Sequence, residues 1–246
     1  MLLIPSIDLR AGACVRLFKG DFAAETRYEL GAHELLARYR ALGASWLHVV
    51  DLDGARDGAL GNQMLIQALA SQHALRLQVG GGVRSASVIE QLLQHGVGRV
   101  VIGSAAVERR EEVGRWLRGY GPERVCLAFD VRLDEHAVPR LHTRGWQTAT
   151  ALSLWDAVEE FAQYGLRHVL CTDIERDGAL AGPNLALYVE SLRRFPQIQW
   201  QASGGIANGA DLSALAAAGV PAAISGKALL EERISLEELR PFLPNA

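Results

Sequence analysis

Two aspartates, Asp8 and Asp130, lie 122 residues apart in similar apolar surroundings, since Ile7-Asp8-Leu9 recurs as Phe129-Asp130-Val131. Each carries a carboxyl group that can take up or give a proton. An ionised carboxyl group can act as a general base and a protonated one as a general acid, so two that face one cavity can work on opposite sides of a substrate. An aspartate at a strand end can instead cap a turn or the next helix. The repeat-related positions of these two favour catalysis.

Glycine-rich segments recur at almost the same interval. Val79-Gly80-Gly81-Gly82-Val83 returns 123 residues later as Ala202-Ser203-Gly204-Gly205-Ile206, and Gly103-Ser104 returns as Gly226-Lys227. Backbone N–H groups in such turns can point at an anion, although a single glycine run is often only a turn. The pairing therefore predicts two phosphate sites on opposite rims. Their residues are Gly81, Gly82, Arg84, Gly103 and Ser104 at one site, and Ser203, Gly204, Gly205, Gly226 and Lys227 at the other; the two cations could also be solvated surface charges.

A third repeated segment, Asp53–Leu60, returns 120 residues later as Asp173–Leu180. Asp57 and Asp177 within these copies could bind sugar hydroxyls, or could only order their loops. Three repeated segments of matched chemistry indicate two copies of one half-fold. If each half carries a site, the ligand should have two similar ends.

Three further residues are weaker candidates. Thr172 ends a predicted strand and could hydrogen-bond a reacting group, or could simply be a β-branched strand residue. Trp146 follows Gly145 on a long loop and could stack on a flat heterocycle or anchor that loop. His48 lies in the middle of a predicted strand, and we interpret it as a packed core histidine.

The framework that positions these residues is predicted from eight short apolar runs. Most are continuous rather than alternating, which is typical of parallel strands covered on both faces. The predicted strands are Leu2–Leu9, Trp46–Leu52, Leu75–Val79, Arg99–Ile102, Val125–Val131, His168–Thr172, Ile198–Ala202 and Ala222–Ser225. Amphipathic segments between them predict helices, among them Ala32–Leu42, Ser85–His95, Ser153–Tyr164 and Asp211–Ala218.

Eight strand–helix units in 246 residues fit an α/β fold of the TIM (βα)8 barrel type. A doubly wound open sheet uses the same alternation, and the internal repeat decides for the barrel, because two (βα)4 halves close naturally into eight units. We expect a single barrel domain over residues 1–246. The long segment Arg132–Thr150 after the fifth strand predicts a small β excursion. Function should then lie on the loops at the carboxyl ends of the strands.

Composition narrows the function classes. The net charge is −3 and no long basic run is present, which argues against a nucleic-acid partner. No apolar stretch is long enough to span a bilayer, and the N-terminus lacks the basic region of a signal peptide. Cys14, Cys126 and Cys171 are odd in number and widely spaced, as expected in a reducing cytoplasm. No large apolar stripe is left over, so we expect a monomer.

The sequence offers no pattern for a metal or an organic cofactor. No His/Cys/Glu group has metal-ligand spacing, and neither a Gly-x-Ser-x-Gly elbow nor a nicotinamide fingerprint occurs. The expected chemistry is therefore proton transfer without a cofactor, on a small bis-phosphorylated substrate.

Together these motifs resemble one family along essentially the whole chain: the histidine-biosynthesis isomerases that act on ProFAR, the HisA family. The residues that carry the resemblance are Pro5-Ser6-Ile7-Asp8-Leu9, Val15-Arg16-Leu17 with Gly20-Asp21, His48–Ala55, Gln78–Arg84, Gly145-Trp146, Thr172-Asp173-Ile174 with Arg176-Asp177-Gly178, and Ser203-Gly204-Gly205-Ile206. The family is a (βα)8 barrel thought to descend from a duplicated half-barrel.

The resemblance implies an Amadori rearrangement, in which an aminoaldose with a phosphoribosyl group at each end becomes an aminoketose. By resemblance, Asp8 would be the general base that takes the proton from C2 of the ribose. Asp130 would be the general acid that helps open the ring. Thr172 would assist near the reacting carbon, Trp146 would hold the imidazole carboxamide, and Asp177 would contribute in a less defined way.

Three alternatives remain open. The sister cyclase, imidazole glycerol phosphate synthase, shares the fold, both phosphate sites and both acids, but the Ser6-Ile7-Asp8 opening and Gly145-Trp146 favour the isomerase. A dual-substrate isomerase would also act on phosphoribosylanthranilate. A non-catalytic phosphosugar-binding barrel is the third, since the fold hosts many functions. It is disfavoured because both acids accompany both anion loops.

Overall fold

The computed structural model describes residues 1–18 and 20–245, and its centre is a closed barrel of eight parallel strands. Around the barrel the hydrogen-bonded order is β1, β4, β5, β6, β7, β10, β11 and β12, and the last pairs with the first again. The strands of the described residues are β1 (Leu2–Arg10), β2 (Ala13–Phe18), β3 (Asp21–Arg27), β4 (Trp46–Asp51), β5 (Arg76–Gly80), β6 (Arg99–Ile102), β7 (Val125–Leu133), β8 (Pro139–Thr143), β9 (Thr148–Ser153), β10 (His168–Asp173), β11 (Gln199–Ser203) and β12 (Ala222–Ser225).

Helices cover the outside of this barrel, so the predicted TIM (βα)8 fold is confirmed. Those in the described residues are α1 (Ala32–Ala41), α2 (Leu52–Asp57), α3 (Gln63–Ser71), α4 (Ala86–Gln94), α5 (Ser104–Glu108), α6 (Arg110–Tyr120), α7 (Leu154–Ala162), α8 (Leu185–Arg194), α9 (Gly209–Ala217), α10 (Lys227–Leu230) and α11 (Leu236–Leu239), with a 3₁₀ turn over Arg240–Phe242. None of them, in the part of the chain that the structure describes, has the length and apolar character needed to cross a membrane.

Each barrel strand has an outer and an inner face, because successive side chains point to opposite sides. In β4, Leu47 and Val49 are fully buried in the large core between strands and helices, whereas Trp46 belongs to a smaller core inside the barrel. His48 and Val50 share the parity of Trp46 and therefore face the interior. The inner core below the mouth is filled by Ile4, Trp46, Val101, Cys126, Leu170, Ala222 and Ile224.

Helix starts follow local capping chemistry. Ser85 Oγ accepts a hydrogen bond from the Val88 amide and so caps the start of α4. The predicted helix Asp211–Ala218 begins earlier, at Gly209, because Asn208 is the cap. Asn208 Oδ1 accepts from the Asp211 amide at 3.1 Å, and Asp211 Oδ2 accepts from the Asn208 amide at 3.3 Å, a reciprocal pair that satisfies two otherwise free donors.

Two antiparallel hairpins leave the barrel at its mouth. The β8–β9 hairpin confirms the predicted β excursion after the fifth barrel strand. The segment Ala11–Arg27, for which no strand was predicted, contains the hairpin β2–β3. Its β2 pairs with the end of β1 at Asp8, as β8 pairs with the end of β7 at Asp130. Both aspartates thus sit where a barrel strand passes into a hairpin.

A buried carboxylate–amide pair recurs in the two halves and gives the structural register of the repeat. Asn62 Nδ2 donates to Asp51 Oδ1 at 2.7 Å, and Asn184 Nδ2 donates to Asp173 Oδ2 at 2.7 Å. The counterpart of Asp173 is therefore Asp51, although the letters of the repeat align Asp53 with it. Each pair ties the end of a barrel strand to the start of the following helix.

Candidate active site

A cleft of about 300 Å³ opens at the carboxyl ends of the barrel strands, where catalytic residues of this fold are expected. Every residue predicted to act in catalysis or binding, except Asp57, contributes to its lining. From the strand ends come Asp8, Asp130 and Thr172; from the loops come Gly81, Gly82, Arg84, Gly103, Ser104, Trp146, Asp177, Ser203, Gly204, Gly205, Gly226 and Lys227. Asp57 is instead exposed and paired with Arg56 at 2.7 Å, away from the cleft. The two copies of the loop motif therefore differ in use.

Asp8 is a buried carboxylate with a cation beside it. It points inward from the end of β1 and is 7% exposed. Burial raises the pKa of Asp8, and the nearby Asp177 raises it further, while the guanidinium of Arg16 opposes both. Arg16 Nη1 donates to Asp8 Oδ2 at 3.1 Å. This pairing favours the ionised form that a general base requires.

Asp130 lies across the mouth, and among the described residues no such cation pairs with it. Burial is the main cause that raises its pKa to about 6, and hydrogen bonding with the side chains of Trp146 and Thr172 partly opposes that rise. Thr172 is its register partner on the neighbouring strand β10. A carboxyl group with a pKa near 6 is protonated often enough near neutrality to serve as a general acid. The two aspartates thus differ in the way that a base and an acid must differ.

Arg16 on β2 connects Asp8 to Asp177, and it was not among the site residues predicted from the sequence. Besides Asp8, it donates from Nη2 to both carboxylate oxygens of Asp177, at 2.6 and 2.5 Å. Burial lowers the pKa of Arg16, but the two carboxylates together outweigh it and raise the pKa, so this side chain stays charged. Its sequence signal is the motif Val15-Arg16-Leu17, a charged residue between two apolar ones that is also part of the family resemblance. That signal does not say which carboxylates it meets.

Trp146 stands between the two hairpins. It lies in the turn of β8–β9 with a left-handed backbone, φ 71°, and its carbonyl accepts from His142 at 3.3 Å. Its ring packs against the backbone of Gly20 in the turn of β2–β3, so closely that a Cβ at Gly20 would start 2.8 Å from a ring carbon. Trp146 also lines the cleft. An aromatic plane at this place can hold a flat heterocycle.

The glycine clusters fold into matching turns in the two halves. Gly81 has φ +93°, and a Cβ there would lie 2.1 Å from the carbonyl oxygen of Asp51. Its repeat counterpart Gly204 has φ +94°, and a Cβ there would lie 2.7 Å from the carbonyl oxygen of Asp173, the counterpart of Asp51. Only glycine fits either position, because both the backbone angle and the neighbouring backbone exclude a side chain. The sequence repeat therefore corresponds to two equivalent backbone turns at the rim.

One cation lies near each cluster. Arg84 Nη2 donates to the carbonyl of Ala55 at 2.7 Å, and Lys227 Nζ donates to the carbonyl of Gly178 at 3.1 Å. Both side chains line the cleft. Each is held by only a neutral carbonyl in these contacts, so its charge remains available to an anion in the adjoining turn.

His48 also lines the cleft, contrary to its interpretation as a packed core residue. It is 6% exposed and lies one inward position below the end of β4. Burial and the nearby Arg16 lower the pKa of His48 to about 4, although a contact with the backbone of Gln78 partly opposes this. The imidazole is therefore neutral at physiological pH.

Among the described residues, no group of three His, Cys, Asp or Glu side chains comes together in a way that could hold a metal ion. The three cysteines are buried and unpaired. What the cleft offers is two carboxyl groups in different environments, two glycine turns of the kind that can bind anions, and an aromatic side chain. This set suits proton transfer on a ligand with an anion at each end.

Comparison with known proteins gives one family over nearly the whole chain. Residues 2–235 match the family model described as "Histidine biosynthesis protein". A protein of Alteromonas mediterranea is 45% identical over 237 residues, which is 96% of this chain and 97% of the relative. One of Shewanella loihica is 45% identical over 245 residues, all of both chains, and one of Photobacterium profundum is 43% identical over 237 residues, 96% of this chain and 97% of the relative. All three are named 1-(5-phosphoribosyl)-5-((5-phosphoribosylamino)methylideneamino) imidazole-4-carboxamide isomerase.

Proposed function

Because the chain belongs to the histidine biosynthesis protein family, we propose that it catalyses the isomerisation for which its relatives are named, the conversion of the aminoaldose ProFAR to the aminoketose PRFAR. The observation that carries this proposal is the contrast between Asp8, which is paired with Arg16, and Asp130, whose pKa is raised to about 6, in one cleft. The two glycine turns match the two phosphates of such a substrate.

The proposed reaction begins with ring opening. Protonated Asp130 donates to the ring oxygen of the ribosylamine while the C1–O bond breaks and the nitrogen lone pair forms a protonated imine (an iminium cation) with C1. Thr172, beside Asp130, orients this carboxyl group. Ring opening leaves C1 electron-poor, and the C–H bond at C2 becomes acidic.

Asp8 then removes the C2 proton, and the electrons move into a C1–C2 double bond as the imine nitrogen regains its lone pair. The resulting enolamine takes a proton at C1 and loses the proton of its C2 hydroxyl, which leaves a ketone at C2. The net change is an isomerisation, so no oxidant, metal or cofactor is required. Acid–base groups of this kind typically contribute about 10²–10⁴-fold each to a rate.

The cyclase alternative is less well supported. Its reaction needs ammonia from a glutaminase partner. The interior of this barrel below the cleft is filled by side chains that include Trp46, Cys126 and Leu170, which does not favour passage of ammonia through the barrel to the cleft. The non-catalytic alternative leaves the different environments of Asp8 and Asp130 without a use. We also propose that the protein acts as a monomer in the cytoplasm, since one chain supplies both aspartates and both turns, and its three cysteines are unpaired.

The test gives the purified protein ProFAR alone, without ammonia, glutaminase or added metal. With carbon-13 at C2 of the reacting ribose, NMR should show a ketone carbon appear with steady turnover. Binding without turnover would overturn the proposal; in a separate arm, consumption of PRFAR together with ammonia would indicate the cyclase. A parallel assay with phosphoribosylanthranilate decides whether the isomerase accepts a second substrate.

A further inference from the structure

The inner layer of the barrel directly beneath the two aspartates holds a hydrogen-bonded chain that the proposed mechanism does not use. It runs from Arg99 on β6 through Gln78 on β5 to His48 on β4. Arg99 Nη1 donates to Gln78 Oε1 at 3.0 Å, and Gln78 Nε2 lies 3.3 Å from His48 Nδ1. All three residues are buried, and His48 alone of them reaches the cleft.

The orientation of the Gln78 amide follows from Arg99. A guanidinium has only donors, so the amide atom that faces it must be the oxygen. Gln201 fits the same orientation: its Nε2 donates to Gln78 Oε1 at 3.1 Å, and Gln78 Nε2 donates to Gln201 Oε1 at 2.7 Å. Arg99 is itself fixed by the carbonyl of Glu123, which accepts from Nε at 3.2 Å. Gln78 therefore presents an N–H group to His48.

This N–H group decides the tautomer of His48. A ring nitrogen that accepts a hydrogen bond carries no proton, so Nδ1 is bare and the single proton of the neutral ring lies on Nε2. In the described part of the chain, Nε2 has no hydrogen-bond partner, and it is not shut off from solvent. It therefore has access to the cleft that His48 lines.

The hydrogen-bonded series Arg99–Gln78–His48 occurs in only one of the two repeated halves, among the described residues. Gln78 and Gln201 are repeat counterparts, 123 residues apart, that meet inside the barrel. The counterpart of Arg99 is Ala222, and that of His48 is Leu170, which lines the same cleft. A symmetric pair of amides could point either way; the single arginine removes that freedom. The result is one neutral donor on the side of Asp8.

We infer that His48 Nε2–H donates a hydrogen bond to a hydroxyl oxygen of the sugar that Asp8 deprotonates, and that Gln78 and Arg99 are positioning residues that fix its tautomer. His48 pairs with Ser6 in the strand register, two residues below Asp8 on the same inward face of β1. A ligand that spans the two glycine turns passes over this point. The lowered pKa of His48 agrees with a donor that stays neutral, so it adds no charge beside Arg16.

The first test needs no substrate. Nitrogen-15 NMR of the free protein at pH 7.5, with His48 assigned by its loss in His48→Gln, should show the Nε2–H tautomer. In Gln78→Leu this signal should move toward the Nδ1–H form or a mixture, whereas the matched variant Gln201→Leu should retain Nε2–H. An Nδ1–H tautomer in the wild type, donating to the backbone carbonyl of Gln78, would overturn the inference, and so would equal spectra of the two leucine variants.

The second test uses turnover and rests on the proposed function. His48→Leu places in this half the residue that the other half already has, and should lower kcat/KM for ProFAR by about 10–100-fold, the loss of one buried hydrogen bond. His48→Gln, which returns an N–H near the position of Nε2, should recover most of that loss. Unchanged kcat/KM in His48→Leu sinks the inference while wild-type turnover stands. Absence of wild-type turnover would instead refute the proposed function and leave the tautomer result intact.

Discussion

At the scale of the residue, the site depends on Arg16, which pairs with Asp8 but not with the equivalent Asp130 in the contacts described. Asp8 and Asp130 occupy equivalent positions in the two halves, and burial raises the pKa of both. Arg16 donates to Asp8 and to Asp177 but to no oxygen of Asp130 in the contacts described. A symmetric framework thus holds an asymmetric charge distribution. In the proposed mechanism, that asymmetry makes Asp8 the base and Asp130 the acid.

The first prediction concerns the base. Asp8→Asn keeps the shape of the side chain and removes its ability to take a proton, so kcat/KM for ProFAR should fall by about 10²–10⁴-fold. Binding of ProFAR, measured by calorimetry, should change little. Asp57→Asn is the matched control, because Asp57 lies in the first copy of the repeated loop motif and outside the cleft. Near-normal activity of Asp8→Asn would show that the base is another group.

The second prediction concerns the acid and follows from its pKa of about 6. A raised carboxyl pKa means that the useful, protonated form is present below pH 6 and is lost tenfold per pH unit above it. The value of kcat/KM, which reports the free enzyme, should therefore decline above about pH 6. On the acid side it should fall as Asp8 takes up a proton.

The control for this profile is Asp130→Asn. Phosphate groups of the substrate also titrate near pH 6, so they contribute a pH dependence that both proteins share. The part of the decline that disappears in Asp130→Asn is the part that belongs to Asp130. Superimposable profiles of the two proteins, after scaling, would remove Asp130 from the role of acid.

At the scale of the element, the two hairpins bring to the cleft side chains that the barrel strands do not carry. The strands fix Asp8 and Asp130 at the mouth, but Arg16 reaches Asp8 only because β2 folds back antiparallel on β1. Trp146 reaches the cleft only because the β8–β9 turn projects it. The turns of both hairpins meet where the Trp146 ring packs on Gly20. The aromatic plane is therefore held by the other half of the molecule.

The third prediction tests this contact. Gly20→Ala places a Cβ 2.8 Å from the Trp146 ring, so the ring must move, and KM for ProFAR should rise by about three- to thirty-fold, consistent with roughly 0.7–2 kcal/mol of lost binding. Gly12→Ala is the control in the turn between β1 and β2. Its φ of +77° matches the +72° of Gly20, but its Cβ would meet nothing within 4 Å. Equal effects of the two substitutions would mean that backbone strain, not Trp146, is responsible.

The elements could be predicted from sequence to different extents, for physical reasons. A parallel strand buried on both faces is a continuous apolar run, so all eight barrel strands were found. The β2–β3 hairpin was missed because most of β3 is exposed and lacks an apolar pattern. The start of α9 was misplaced by two residues because Asn208 and Asp211 are both cap-type residues, and only the geometry shows which one caps.

At the scale of the whole molecule, closure of the barrel creates contacts that no local pattern contains. Arg16 and Asp177 are 161 residues apart and meet because the first and sixth barrel strands open into the same mouth. The sequence repeat predicted which residues would face each other across the mouth, because each half carries the same turns. It did not predict Arg16 or the use of His48, since these lie where the halves differ. Equivalent positions could be inferred from one chain; unique contacts required the fold.

The last prediction follows from the proposal that each half of the barrel binds one of the two phosphates of the substrate. Arg84 and Lys227 line the cleft beside different glycine turns that belong to opposite halves. In the inactive Asp8→Asn background, Arg84→Met and Lys227→Met should each weaken ProFAR binding by about five- to fifty-fold, since each removes a charge from one phosphate. Because the two cations would hold different ends of the ligand, the double variant should lose the product of the two factors, within about twofold. Arg115→Met, on the exposed face of α6, removes the same charge without touching the cleft and should leave binding unchanged. A double variant no weaker than either single one would mean that both cations serve one phosphate, and the assignment of one anion to each half would fail.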